Sequence, residues 1–542
     1  MPLHHSSRTL LQWTCMFLFV APFCYGQFQR DFYSSVSALS DLVKFEKEVK
    51  VMLLVYIENL KALQQTLLQY VNSEKIYEGL KTDEAVEQHM MHPIHAFHLA
   101  KRMTVQLGAV ESHIHRLRAY DPMINITAMR HHRMLPWEED FHGMAASIVR
   151  LQDTYLLNMT QLADGLLKTS TSEKGIKGQQ ALSGRDCFFI GKVAFQTGFF
   201  DRAVEWFEEA LERTESEQPP SLRKEEVQPF YDNAIKKHDE VLETKGKAGQ
   251  NWQTYGVPVS ERRQRSTEFQ AKLFDDSISQ VLEVQQFKRL CRGENIRSAK
   301  LNRHLRCRYY FGKHPFLRFN PVKLEELNLK PYVAVMHGVI QEKDINDLLA
   351  FAKPRLKRST HFGGRGSVAS GVRTSSNAWL GDEDADVAVR LNTFLGDLLG
   401  LGTRFDEQEA EKYQLANYGI GGQYLSHIDF LQTSYNLPNV PVHDFERGAG
   451  DRVATLMVYL TDVAEGGATV FPHLGLRIEP KKGDAAFWWN LKTDGEGEQL
   501  ATHGGCPVLF GTKWIANKWF RTNCNMFRLP CGKNSTDSLA PL

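Results

Sequence analysis

The sequence has almost no surplus charge: 65 lysines and arginines stand against 64 aspartates and glutamates in 542 residues. Binding to nucleic acid calls for a basic excess, so nucleic acid is not an expected partner. Long apolar runs are nearly absent as well. The one that stands out, Leu10 through Val20, follows Arg8 and precedes Cys24-Tyr25-Gly26. It falls short of the ~20 residues a bilayer span needs and ends in small residues of the kind a signal peptidase reads. Residues 1–26 are therefore expected to be a secretory signal, no membrane span is expected, and the mature chain should be soluble inside the secretory pathway. Cysteine is scarce, with eight residues, of which Cys15 and Cys24 leave with the signal. In an oxidising compartment the rest read differently. Cys291 and Cys307 bracket a short basic segment, and Cys506 and Cys531 bracket a region with a notable lysine. Cys187 sits in a helical pattern and reads as a buried thiol. Cys524 is the odd residue. Sequons at Asn125, Asn158 and Asn534 fit a lumenal glycoprotein.

Apolar composition is ample for several cores, and the length suits about three or four domains. From Phe32 to about Tyr70, the residues Val49, Leu53, Tyr56, Leu60, Leu63, Leu67 and Tyr70 recur at alternating steps of four and three. That is a heptad seam. It suits a coiled coil between chains or an amphipathic helix packed within its own chain. His92, His95 and His98 lack a carboxylate or thiolate at ligand spacing and read as solvated or capping residues. The Ser- and Thr-rich stretch from Lys168 to Lys177 reads as a linker. Beyond it, Gly191, Gly198, Phe200, Ala203, Phe207 and Ala210 fall where the tetratricopeptide pattern places small or aromatic side chains. Plain helix-pair packing would use the same residues.

From Pro331 the character changes to short β-rich runs such as Tyr332 to Met336, separated by glycine-rich turns, with one helical stretch from Asp344 to Lys353. Such runs predict an antiparallel barrel or jelly roll. Ser359 to Arg373, rich in glycine and arginine, reads as a loop able to close over a bound molecule. In Tyr418-Gly-Ile-Gly-Gly-Gln-Tyr-Leu-Ser-His427-Ile-Asp429, an imidazole and a carboxylate stand two residues apart. On a strand, residues i and i+2 face the same way and can grip one ion. His503 offers a second imidazole, and Lys513 follows ten residues later. Two histidines and one carboxylate leave half an octahedron open, as non-haem Fe(II) oxygenases require. A buried lysine nearby can anchor a dicarboxylate by its far end. His473 is the competing third ligand, but no lysine stands ten residues after it. His361 and His443 read as surface loop residues.

Around this motif lie Tyr418, Gly421-Gly422, Ala454 to Leu460, Glu465-Gly466-Gly467 through Phe471-Pro472, and Asn517-Lys518-Trp519, in a consistent order. On these residues the stretch from about Leu290 to Cys531 resembles the catalytic domain of the prolyl 4-hydroxylases. The whole chain, through His92 to Arg102 and Arg150 to Tyr155 as well, is similar to the α subunits of the collagen prolyl 4-hydroxylases.

The resemblance implies a multidomain protein: a signal at 1–26, a helical, coiled-coil-like dimerisation domain at 27–167, a tetratricopeptide-like peptide-binding domain at 184–288, a double-stranded β-helix (jelly-roll) dioxygenase domain at 289–533, and a disordered tail at 534–542. It implies Fe(II) on His427, Asp429 and His503, and 2-oxoglutarate held by Lys513 with hydrogen bonds from Tyr418 and Thr455. Ascorbate is the further cofactor. Trp519 would shape the pocket or belong to the core. The activity implied is hydroxylation of a peptidyl proline in X-Pro-Gly to 4-hydroxyproline, with O2 and 2-oxoglutarate consumed and succinate and CO2 released. The bracketing pairs Cys291/Cys307 and Cys506/Cys531 would form two intrachain disulfides. Protein disulfide isomerase is the implied partner, in an α2β2 tetramer in the endoplasmic reticulum lumen. The final Ser-Leu-Ala-Pro-Leu has no Lys-Asp-Glu-Leu-type signal, consistent with retention through that partner. Residues 214 to 288 depart from the family, with no clear second repeat; Phe230 and Tyr231 are their best candidates for a groove that holds a proline-rich, polyproline-II strand. That departure leaves two alternatives: the same chemistry on another proline-containing secreted protein, and a non-catalytic peptide-binding subunit.

Overall fold

The computed structural model describes residues 35–72, 79–82, 85–86, 102–119, 121–132, 138–169, 174–178, 180–244, 258–262, 279–359, 361–363, 366–368, 373–431, 444–529 and 538–542. The expected signal, His92, His95, His98, His443, Cys531 and Asn534 lie outside them, as does the side chain of His361.

The N-terminal part is helical. The heptad seam becomes α1, Val36–Asn72, a single helix of 37 residues with no buried residue. Val49, Tyr56, Leu63 and Tyr70 are half-buried on the side that packs on α2 (Leu107–Ala119) and α3 (Pro122–His131). The alternate seam positions Leu53, Leu60 and Leu67 stay exposed. Next comes α4 (Glu138–Tyr155), whose second half is buried, followed by the short α5 (Met159–Ala163). The stretch read as a linker is bracketed by a two-stranded hairpin, Leu167 opposite Ile176.

Three helices then stack: α6 (Gly184–Gln196), α7 (Phe200–Ser216) and α8 (Lys224–Glu243). A Ser183–Asp186 capping box starts α6. The pair α6–α7 depends on Gly191, where an added Cβ would meet the Phe207 ring at 2.8 Å and Trp206 at 3.2 Å. Sequence showed no repeat after residue 214, yet α8 packs on α7 there, with Ala234 and Val227 buried and Phe230 half exposed. After it, α9 (Ser279–Cys291) leads into the C-terminal half.

That half is built on sheets. The strands used below are β1 (Cys307–Tyr310), β2 (Val322–Leu329), β3 (Tyr332–His337), β4 (Lys357–Arg358), β5 (Ser376–Leu380), β6 (Tyr413–Tyr418), β7 (Tyr424–His427), β8 (Arg452–Tyr459), β9 (Thr469–Phe471), β10 (Leu476–Ile478), β11 (Ala485–Trp489), β12 (His503–Gly505) and β13 (Lys513–Arg521). A nine-stranded sheet runs in the order β1-β2-β3-β11-β8-β13-β6-β5-β4, and a four-stranded sheet in the order β7-β12-β9-β10. The strand pairings among the described residues are antiparallel. Alternation along β13 assigns its two faces. Trp514, Ala516 and Phe520 join a core with the helices Glu342–Ala352 and Asp386–Leu399. Ile515 joins Tyr418, Met457, Tyr459, Phe471 and Trp488 in a second core shared by both sheets.

Two expectations need correction. Cys291, at the end of α9, is bonded to Cys506, just past β12, across a separation of 215 residues. Cys307 instead lies on β1, pairs by its backbone with Glu325, and is a free, exposed thiol. The edge strand carries it away from α9, so closeness in sequence did not become closeness in space. Nor is the described end of the chain, 538–542, disordered: Leu539 is buried, Ser538 bridges Lys492, and the Trp489 indole N–H donates to the Ala540 carbonyl at 3.0 Å. A leucine that fills a core space offsets the entropy of ordering so short a segment.

Candidate active site

The smaller sheet supplies two ligands from neighbouring strands. His427 ends β7 and His503 begins β12, and the two residues are directly paired. Their rings lie 4.4 Å apart between centroids. Each Nδ1 donates to a backbone carbonyl two residues earlier, His427 to Leu425 at 2.8 Å and His503 to Ala501 at 3.1 Å. A carbonyl can only accept, so in the neutral form of each ring the lone pair lies on Nε2. Both Nε2 atoms approach Asp429, at 3.7 Å from Oδ1 for His427 and 3.7 Å from Oδ2 for His503. One ligand atom from each of the three lies within 4.8 Å of the others, the one such cluster among the described residues.

Asp429 is held from the larger sheet. The Thr455 hydroxyl donates to its Oδ2 at 2.7 Å and the Trp519 indole N–H to the same oxygen at 2.9 Å. Asn490 donates to Thr455 in turn, at 2.9 Å. Burial alone would raise the Asp429 pKa; His503, His427, Arg452 and the Trp519 N–H outweigh it and bring it down to about 2. Burial, then His503, pushes His427 down to about 3. An anionic carboxylate between two neutral imidazoles is the form that binds a divalent cation, and two nitrogens with one oxygen suit Fe(II). The residues present therefore fit that metal.

Lys513 begins β13 and is almost fully buried. Its Nζ donates to the Thr469 hydroxyl at 3.2 Å and lies 5.7 Å from the ring centres of Tyr418 and Tyr459. Burial pushes its pKa down to about 7. The cavity is lined by Lys513, Tyr418 and Thr469 together with His427, Asp429 and His503.

Most of the expected constellation is thus brought together. Thr455 is in the cavity wall, but its hydroxyl serves Asp429, not a ligand carboxylate. His473 is apart, half exposed, with Nε2 3.5 Å from Glu283. Phe230 and Tyr231 lie on α8, far along the chain from these strands; Phe230 meets Phe188 edge-on at 5.1 Å, and the Tyr231 hydroxyl donates to Glu208 at 3.0 Å. Asn158 is exposed and caps α5, accepting from the Gln161 N–H, while Asn125 is exposed on α3.

Several residues escaped the sequence reading. Tyr424 stacks on His427 at 3.6 Å, and the Arg373 guanidinium lies 4.9 Å above Tyr424. Arg373, the last residue of the expected loop, is anchored to Ser375 and Gln414. The Arg452 guanidinium covers Trp519 at 4.0 Å while paired with Glu411. Thr469 and Tyr424 stand inside the quoted motifs, but nothing in their spacing marks them. From behind, α4 and α9 brace the site. Arg150 donates to the Gly421 carbonyl at 3.0 Å and Tyr155 to that of Pro507 at 2.5 Å. Gly421 has φ of +64° and lies so close to α4 that an added Cβ would meet Ser147 at 2.7 Å.

Comparison with known proteins agrees with this geometry. A family model described as prolyl 4-hydroxylase alpha-subunit, N-terminal region, matches residues 35–169, and one described as the 2OG-Fe(II) oxygenase superfamily matches residues 413–521. The chain is 30% identical to prolyl 4-hydroxylase subunit alpha-2 of Gallus gallus, over 97% of this chain and 99% of that one. It is 32% identical to prolyl 4-hydroxylase subunit alpha-1 of Homo sapiens, over 92% of this chain and 95% of that one. Among solved structures, the viral collagen prolyl hydroxylase of Paramecium Bursaria Chlorella virus-1, in its 2OG complex, is 25% identical, covers 35% of this chain and 95% of its own, and gives a TM-score of 0.26. With a His-Asp-His triad in a 2-oxoglutarate–Fe(II) oxygenase domain and a matching helical N-terminal region, the chain belongs to the prolyl 4-hydroxylase α-subunit family.

Proposed function

We propose that the protein is the catalytic subunit of a procollagen-proline 4-dioxygenase, converting peptidyl proline, O2 and 2-oxoglutarate to 4-hydroxyproline, succinate and CO2. The observation that carries this reading is the buried Lys513 in a cavity that the triad also lines. A buried cation with a single neutral hydrogen-bond partner gains much from an anionic one. Lys513 with Thr469 takes the far carboxylate of 2-oxoglutarate, and Tyr418 walls that end. His427, Asp429 and His503 hold Fe(II), which supplies oxygen activation when bound. Thr455 and Trp519 fix the Asp429 carboxylate, and the Leu425 and Ala501 carbonyls fix both imidazoles in the ligating tautomer. Trp379 is half exposed and lies 6.4 Å from Trp519.

The surrounding domains extend the proposal. The C-terminal half is a double-stranded β-helix, the stack α6–α8 a tetratricopeptide-like unit that presents Phe230 and Tyr231 to a proline-rich segment, and the exposed positions of α1 a dimerisation seam. Protein disulfide isomerase completes an α2β2 assembly in the endoplasmic reticulum lumen. Peptide-dependent 2-oxoglutarate decarboxylation, with (Pro-Pro-Gly) repeats and the chain co-expressed with protein disulfide isomerase, tests the reading. Turnover is expected, with a loss of about a thousandfold or more in Asp429→Ala. Iron and 2-oxoglutarate binding without stimulation by this peptide would instead favour a different proline-containing secreted protein, a reading motivated by the divergent segment after α7.

A further inference from the structure

Two adjacent tryptophans on β11 face opposite ways and differ in one respect. Trp489 joins the helix-covered core, and its N–H is used by the Ala540 carbonyl. Trp488 joins the core between the sheets, borders the active-site cavity, and is almost wholly buried. Its N–H has no hydrogen-bond partner among the described residues. A buried, unmatched donor is costly, and here it lies at a definite place. Trp488 is paired across the sheet with Thr455, which in turn is paired with Trp519. These three form the row beside Asp429, and the Trp488 ring meets the His503 ring edge-on at 4.6 Å. Lys513 is six residues from Trp519 along β13 and lines the same cavity.

The other polar groups of that row are committed. Thr455 and Trp519 both donate to Asp429, and Asn490 donates to Thr455. We infer that the Trp488 N–H binds the 2-oxo-acid end of the co-substrate, donating to its carboxylate beside His503 while Lys513 holds the far carboxylate. This rests on the reading of the cavity as a 2-oxoglutarate site and adds to it a second anchor. A 2-oxo acid would satisfy the indole donor, and a ligand without that end would leave it unmatched.

The test is binding, not turnover. The full-length chain is loaded with Fe(II) under anaerobic conditions, and the affinities for Fe(II), 2-oxoglutarate and succinate are measured by calorimetry for wild type, Trp488→Phe and Trp489→Phe. Phenylalanine keeps an aromatic ring against His503 and Phe471 and removes the N–H. The expected result is that Trp488→Phe weakens 2-oxoglutarate about tenfold or more while Fe(II) and succinate affinities stay within about twofold. Trp489→Phe should leave all three in place. Equal 2-oxoglutarate affinity in Trp488→Phe and wild type would overturn the inference alone. Parallel weakening of succinate and 2-oxoglutarate would overturn it as well, since a general change of the cavity then accounts for the loss. If wild type shows no metal-dependent 2-oxoglutarate binding, the reading beneath the inference fails with it.

Discussion

Helix α1 and strand β13 are the two extremes of this molecule. Along β13 all nine residues are buried, charged and polar ones included; along α1 none of the 37 is. Both are read easily from sequence, one by its heptads and the other by Lys513 and its neighbours, but they are held in place differently. The strand is fixed on each side by hydrogen-bonded partners and on both faces by cores. The helix has one flank against α2 and α3 and the other open. Helix stability in proteins comes mostly from packing of an apolar face. The strand is therefore enclosed on every side, whereas α1 retains apolar positions for which the described residues offer no cover.

Experiments can break this comparison or sharpen it. The largest effect is expected on β13. Replacing Lys513 with Met should weaken 2-oxoglutarate about a hundredfold, measured by calorimetry with the metal-loaded chain. The wild-type affinity should itself depend on pH. The folded-state pKa of Lys513 is about 7 against about 10.4 unfolded, so between those values the unfolded chain binds more protons and this group's contribution to stability rises with pH. A carboxylate partner raises the folded pKa again, so binding above pH ~7 takes up a proton and affinity falls as pH rises. Proton uptake shown by calorimetry in buffers of different ionisation enthalpy would establish this, and Lys513→Met should abolish it. Next in size is the Cys291–Cys506 bond. Converting both cysteines to serine should lower stability by about 2–5 kcal/mol, read from thermal unfolding. In the helical stack, Gly191→Ala forces a methyl onto the Phe207 ring and should cost about 1–3 kcal/mol. The smallest stability effect is expected on α1. Leu53→Ala with Leu60→Ala and Leu67→Ala should each alter unfolding by within about 0.5 kcal/mol, yet weaken chain–chain association in sedimentation equilibrium. A large loss of stability without a change in association would show that α1 is buried by its own chain and reverse the contrast.

How much could be read in advance follows the range of the interactions. The His427–Asp429 pair was legible from its two-residue spacing, although β7 ends at His427 and Asp429 lies just past it, and the step from His503 to Lys513 because only ten residues separate them along the chain. The helix over Val36–Asn72 was legible from its heptads and the close approach of α6 and α7 from the repeat spacing, whereas the Gly191 contact with Phe207 was not. Partners distant in sequence were not. Thr455 looked like a ligand-binding hydroxyl, and only the approach of β8 to Asp429 gives its hydrogen another acceptor. Glu411 and Arg452 are 41 residues apart, and Cys291 and Cys506 are 215 apart; no local rule links them. The tautomer of each histidine is set by a carbonyl, which leaves no mark in side-chain chemistry. The final residues failed as a prediction for a similar reason, because the site that receives Leu539 is assembled from strands earlier in the chain.

The order of the nine-stranded sheet carries a consequence for how the protein is made. Strand β13 is the last of the nine to be synthesised, yet it lies between β8 and β6. Until residue 521 has left the ribosome, β8 and β6 each present an open edge, and Trp519 and Lys513 are missing from the pocket. The first strand and the last are separated by more than two hundred residues of nascent chain, which must be kept from pairing with strangers during that interval. Closure of the larger sheet in this sense waits on its last strand, and its two inner edges stay open until that strand arrives.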